Sequence, residues 1–162
     1  MSEDKDRFRS LMSHFATGVT IVTGVEPEGG PVGLTANAVA SVSLEPPLLL
    51  VCMERRSSSL DVVLRTGRFG LSILRRGDEE LARRFSEDLP AERFRGLTLT
   101  TAESGMPVLA ECLAWVDCKM WRGFEAGDHR IVVGEVLECH VSSGDPLVFF
   151  KGEYGTIALP RE

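Results

Sequence analysis

Residues 33–53, GLTANAVASVSLEPPLLLVCM, restrict the fold more than any other part of the 162-residue chain. Small and hydroxyl side chains fill the first half (Thr35, Ala36, Asn37, Ala38, Ser41, Ser43), and Ala38, Ala40, Val42 and Leu44 recur at period two, the alternation of a strand. Glu45-Pro46-Pro47 ends that run, because proline has no N–H to give to a ladder. Residues 48–53 then form a continuous apolar run of strand length, the pattern of a strand buried on both faces. A hairpin is expected, headed by Gly33, where the missing Cβ permits a sharp turn or a close approach of the backbone to another group. Two readings fit its uncrowded first half: a plain barrel hairpin, or exposed backbone N–H and C=O groups that meet a flat polar ligand edge-on.

The flanking chain supplies more strands and a few helices. Phe8, Leu11, Met12 and Phe15 fall at i, i+3, i+4 and i+7, an amphipathic helix expected to serve as a lid or packing helix. Residues 17–23 read as a strand, 24–30 as a turn and 32–35 as the return strand. Ser57, Ser58 and Ser59 precede Leu60, Val63 and Leu64 at helical spacing; Ser58 with Asp61 matches a capping box, and Gly67 suits the C′ position. Either the serines cap this helix, or its free N–H groups and positive dipole end, with Arg55 and Arg56 alongside, hold a phosphate. The two are compatible, since a capping hydroxyl can turn to a ligand. Phe69, Leu71 and Ile73 mark a strand, and Asp78 opens a helix with Leu81, Ala82 and Phe85 on one side. Residues 87–107 read as a loop, expected to be the most mobile part, and 108–121 as one long strand. A turn at 125–128 joins this to a strand at 131–141, followed by a strand at 147–150 and a short apolar run at 157–159.

This makes six or more strands and about three short helices, with turn signals every 8–15 residues and no βαβ alternation. A mainly β fold follows, a closed antiparallel barrel rather than a doubly wound sheet, in one domain spanning 1–162. A net charge of -6 leaves no basic stripe for nucleic acid. No run of 18 apolar residues suits a membrane span, and the charged start MSEDKDRFRS lacks the core of a secretion signal, so a cytoplasmic location is expected. Cys112 and Cys118 would stand about 20 Å apart on one strand, and Cys139 and His140 would point to opposite faces. Reduced cysteines, Cys52 among them, are therefore expected rather than a zinc site or a disulfide.

The chain shows no serine-histidine-acid triad, metal-ligand spacing or GxGxxG fingerprint. His129, just past a Gly-Asp turn at a strand start, is the candidate for substrate handling, although a solvated turn histidine fits the same spacing. Tyr154, the sole tyrosine, fits either the same mouth or core and dimer packing.

Residues 33–53 resemble the flavin-contacting segment of the flavin reductase-like family, short-chain NAD(P)H:flavin oxidoreductases that serve two-component monooxygenases. The likeness runs from FRSLMSHFATGVTIVT (8–23) to PLVFFKGEYGTI (146–157) and includes GDHRIVVGEV (127–136). It implies the FMN-binding split barrel, a Greek-key antiparallel barrel. It also implies FMN or FAD in contact with Thr35, Ala36, Asn37, Ala38, Cys52, Ser57, Ser58, Ser59, Phe85 and Ser86, the serine cluster lying at the flavin phosphate. NADH or NADPH would dock at His129, with Tyr154 nearby. Family members often carry serine at the position of Ala38, so any hydroxyl contact made there is absent here. Such chemistry asks little of side chains: the flavin supplies reactivity, and the protein supplies position and donors near the charge on the reduced ring. A homodimer is expected, since Trp115, Trp121, Phe149 and Phe150 offer more aromatic surface than one small core hides, with a flavin-dependent monooxygenase as a possible partner. A flavin or haem carrier and an oxidase of vitamin B6 phosphates share the barrel type. The histidine favours the reductase over the carrier, and no basic set for a B6 phosphate is found.

Overall fold

Period-two alternation becomes a curled sheet in the computed structural model, which describes residues 2–157. The elements run α1 (Ser2–Ser13), β1 (Thr17–Gly18), β2 (Thr20–Val25), β3 (Pro31–Ala36), β4 (Val39–Leu44), β5 (Pro47–Glu54), α2 (Ser58–Thr66), β6 (Arg68–Ile73) and α3 (Glu79–Glu87). After a 3₁₀ turn (Pro90–Glu92) come β7 (Leu99–Thr101), β8 (Pro107–Leu109), β9 (Ala114–Ala126), β10 (His129–Val141), β11 (Leu147–Phe150) and β12 (Glu153–Thr156).

Seven strands form one antiparallel sheet in the order β3-β2-β6-β9-β10-β5-β4. Its two edge strands, β3 and β4, are consecutive in the chain and joined only by Asn37 and Ala38. Laid flat, seven strands would hold their edges about 29 Å apart. The three peptide steps from Ala36 to Val39 span at most about 11 Å. The sheet must therefore curl until its edges meet, giving the split barrel. β5 lies beside β10, the last of the trio β6-β9-β10, and reaches β6 through α2, which is a Greek-key arrangement.

Side chains from six strands converge inside this curl. Val22, Ala36, Val51, Met53, Phe69, Leu71, Cys118 and Val132 form the interior, and α2 closes it with Leu60 and Val63. A second core lies on the other face of β2, where Ile21, and Val19 just before the strand, meet Leu74, Leu147 and the Ala82 and Phe85 side chains of α3. β2 is thus buried on both faces and separates the two cores.

Several expectations change. The apolar run at 108–121 is two strands, because its pairing partner changes: β8 pairs with β7, whereas β9 pairs with β6 and β10. The short TLTT run is β7, inside what reads as loop. β5 is buried on one face only, at Val51 and Met53. α1 ends at Ser13, short of Phe15, and does not pack on either core: Phe8 is 64% and Leu11 65% exposed. Its apolar side instead shares an open groove with Ala38, Val39 and Phe149. β12 was not expected, and the apolar run at 157–159 lies outside the described residues beyond Ile157.

Gly33 serves packing. A Cβ there would lie 3.0 Å from the rings of both Phe85 and Phe94 and 2.8 Å from the Val22 carbonyl oxygen. Those rings meet edge to face, 4.8 Å between centroids. The glycine lets two aromatic rings press α3 and the following loop onto β3. Gly33→Ala is expected to destabilise the fold by about 1–3 kcal/mol through overpacking, read as a lower urea midpoint. A wild-type midpoint would mean that the rings retreat freely.

Candidate functional site

A cleft of about 500 Å³ opens where the barrel seam, the end of β5, the start of α2, the β9–β10 turn and α3 meet. Thr35, Ala36, Asn37, Ala38, Cys52, Ser57, Ser58, Phe85, Ser86 and His129 all line it. Two residues singled out from sequence do not. Ser59 is buried on the inner side of α2. Tyr154 lines a neighbouring cavity of about 170 Å³, which shares Thr35, Asn37 and Ser86 with the cleft. Its ring packs on Phe149 and lies under the Arg83 guanidinium, and burial pushes its phenol pKa up.

At the seam the carbonyls are occupied: Ala36 accepts from the Thr20 hydroxyl at 2.6 Å, and Ala38 accepts from the Cys52 N–H at 2.9 Å. The Asn37 and Ala38 amides lie between strands and belong to neither ladder. Thr35 and Ser86 both donate their hydroxyl protons to the Ala82 carbonyl, at 2.6 and 3.0 Å. A hydroxyl has one proton, so both present only lone pairs to the cleft.

The N-cap of α2 is Ser57, in an extended conformation, and its side chain makes no cap hydrogen bond. The capping box expected at Ser58 and Asp61 is not formed. A nine-residue helix therefore presents uncapped first-turn N–H groups at the cleft rim, together with Arg56. Its other end follows the sequence: Gly67 adopts φ 67° and donates to the Val63 carbonyl.

His129 opens β10, opposite Glu54 of β5 and Ala126 of β9. Its Nδ1 lies 2.8 Å from the Asp128 carboxylate, and the imidazole holds that carboxyl below its usual range. A carboxylate only accepts, so Nδ1 carries the proton of this bond and Nε2 is left for a ligand. Arg55 ties the turn to the start of α2: its N–H donates to the Asp128 carbonyl at 3.0 Å, its Nη1 to the Gly127 carbonyl at 3.4 Å, and its Nε lies 3.3 Å from Glu125.

Leu34, Glu54, Arg56, Pro90 and Arg93 complete the lining. Arg93 had no signal in the sequence, because the loop after α3 brings it in. It donates Nη1 to the Gly33 carbonyl at 2.7 Å and Nε to the Asp88 carbonyl at 3.0 Å.

Fold and cleft define an antiparallel split barrel whose polar, cation-bearing site lies on its own seam. The chain belongs to the family of the flavin reductase like domain, which matches residues 12–158. It is 39% identical to a flavin reductase (NADH) of Kitasatospora aureofaciens, over 93% of this chain and 81% of that one. Among solved structures, nitrilotriacetate monooxygenase component B from Mycobacterium thermoresistibile superposes with a TM-score of 0.92 at 33% identity, covering 99% of this chain and 93% of that one. The NADH:FAD oxidoreductase SgcE6 of Streptomyces globisporus, in complex with NAD and FAD fragments, superposes with a TM-score of 0.90 at 31% identity, covering 98% and 95%. The chain spans half the length (50%) of another relative, a probable flavin reductase of Rhizobium meliloti, at 35% identity over 96% of this chain.

The cysteines offer a direct check on the cleft. Cys139 is exposed, Cys52 half-buried in the cleft wall, and Cys112 and Cys118 buried. Burial, reinforced by Asp117, pushes the Cys118 thiol up to about 12. At pH 8 a thiol reagent is expected to modify Cys139 first and Cys52 more slowly, and to reach Cys112 and Cys118 only after unfolding. Labelling of Cys118 at the rate of Cys139 in the native protein would contradict this core.

Proposed function

We propose that this chain is an NAD(P)H-dependent flavin reductase, a single flavin reductase-like domain over residues 1–162 that reduces FMN or FAD with NADH or NADPH. The observation that carries the reading is one cleft holding unladdered seam amides, an uncapped helix N-terminus beside Arg56, and His129. These groups fit a flavin: donors for the ring edge, a phosphate end, and a volume within the usual range for cofactor clefts. The relatives, a flavin reductase (NADH) and an NADH:FAD oxidoreductase in complex with NAD and FAD fragments, support it as well.

A bound flavin supplies the hydride-accepting ring. The Asn37 and Ala38 N–H groups, outside the ladders, would stabilise negative charge at the ring edge. The lone pairs of Thr35 and Ser86 accept from a ring or carboxamide N–H. Ser57, Ser58 and Arg56 hold the phosphate at the positive end of α2. His129, fixed by Asp128, seats the nicotinamide donor through Nε2.

The acceptor of the reduced flavin in this reading is a partner flavin-dependent monooxygenase. The name of the Mycobacterium thermoresistibile relative, a monooxygenase component, supports that. A cytoplasmic location is part of the same reading; among the described residues no helix is long and apolar enough to cross a membrane.

The first test follows absorbance at the nicotinamide band, with FMN or FAD as acceptor and NADH beside NADPH. His129→Ala is expected to lower kcat/KM for the nicotinamide by about 10- to 100-fold, about 1.4–2.8 kcal/mol, with flavin affinity unchanged. An unchanged kcat/KM would make His129 a turn residue only.

We further propose a homodimer. Of the four aromatics expected to drive it, Trp115 and Phe149 pack against the second core, while Trp121 and Phe150 remain 49% and 43% exposed. Exposed Phe8, Leu11 and Phe15 near α1 and Val42 and Leu44 of β4 add apolar surface that a second copy would cover. Light scattering is expected to give twice the 17.7 kDa chain mass; a monomer mass at every concentration would refute the dimer.

A further inference from the structure

We propose that Arg93 is a second anion anchor of the cleft, separate from the Arg56–Ser57–Ser58 end, and that it takes a phosphate of a dinucleotide's diphosphate. This rests on the reductase reading and narrows it.

Arg65, Arg68, Arg75 and Arg130 each pair with a carboxylate within 3.0 Å. Among the described residues, Arg93 and Arg56 have no carboxylate within ion-pair distance. Glu54 also lines the cleft, without pairing to either. Arg93 is partly desolvated, which lowers its pKa, and Asp88 is the charge that favours its protonated form. An arginine placed in a cleft with no carboxylate in ion-pair contact favours an incoming anion.

Its support is also built in. Two of its five N–H groups go to the Gly33 and Asp88 carbonyls, which fix the fork and leave three donors. The Phe85–Phe94 contact holds the loop that carries it. Arg93 thus belongs to the β3–α3 wall, whereas Arg56 belongs to the turn from β5 to α2. A mononucleotide has one phosphate, which the start of α2 already accommodates. A dinucleotide brings a second, and either FAD or NAD(P)H supplies it.

The test compares wild type with Arg93→Gln and Arg93→Lys in flavin binding (riboflavin, FMN, FAD) and in KM for NADH against reduced nicotinamide mononucleotide. Arg93→Gln is expected to weaken the dinucleotide of one pair by about 10- to 100-fold and to spare its mononucleotide, with Arg93→Lys in between. A selective loss of FAD assigns the flavin diphosphate; a selective rise in KM for NADH assigns the nicotinamide diphosphate. Equal losses within each pair, or no loss in either, overturn the proposal, as does a loss of FMN relative to riboflavin, which would merge Arg93 with the first anchor. Salt provides a control free of mutation: the wild-type preference for the affected dinucleotide should shrink as ionic strength rises, and a salt-independent preference counts against a charged anchor. A wild type that binds flavin without nicotinamide-dependent turnover would refute the reductase reading, while the FAD-to-FMN ratio would still decide the role of Arg93.

Discussion

The two-residue link Asn37-Ala38 is the constraint on which the rest of the structure depends. It joins the two edges of a seven-stranded sheet, so the curl is imposed by covalent reach rather than by packing alone. Closing a sheet ordinarily satisfies every edge amide through a neighbouring strand. Here the closing stroke is a chain crossing, and the crossing amides stay outside the ladders. That local failure of the hydrogen-bond pattern leaves the Asn37 and Ala38 amides at the cleft without a strand partner. Small side chains at positions 36–38 keep it open: Ala36 points into the barrel core, and Ala38 adds only a methyl.

Packing and recognition then share the same atoms. α3 is pressed onto β3 because Phe85 and Phe94 occupy the space that a side chain at Gly33 would need. With α3 so placed, the Ala82 carbonyl comes within reach of Thr35 and takes its proton, as it takes that of Ser86 one turn further along the same helix. The cleft therefore receives a fixed polarity: amide donors at the seam, hydroxyl acceptors beside them, and guanidinium groups of Arg56 and Arg93 at its rims. The positive charge is local, in a chain whose net charge is -6. It reports on the ligand and not on a polyanionic partner.

Much of this was legible in the sequence wherever the signal is local. The 33–53 hairpin showed because alternation and Glu45-Pro46-Pro47 are chain-local features, and α2 showed because its apolar spacing and Gly67 are too. The Gly-Asp-His turn placed His129 at a strand start, where it stands. What failed depends on partners. An apolar run cannot announce that its pairing changes between β8 and β9. The period of α1 shows an apolar face but not what covers it. A glycine that admits a close approach does not say what approaches: at Gly33 it is the rings of Phe85 and Phe94. Arg93 was invisible, since a loop with no periodicity brings it to the cleft.

The two sides of the cleft are held by different means, and that divides their roles. On one side, His129 is fixed by the β5–β10 register, which sets it opposite Glu54, and by Arg55, which bonds to the Gly127-Asp128 turn and lies two residues before Ser57. His129 and the start of α2 thus share one rigid frame, and their separation is set by the fold. Pre-organisation of this kind lowers the entropy lost when two reactants are brought face to face. On the other side, the loop carrying Arg93 contributes one 3₁₀ turn; it is tied to β3 by the Gly33 carbonyl and to α3 by the Phe85–Phe94 contact and the Asp88 carbonyl. Phe94, Leu97 and Leu99 anchor this segment on the second core. The two arginines of the cleft, Arg56 and Arg93, are thus positioned by separate elements of the fold.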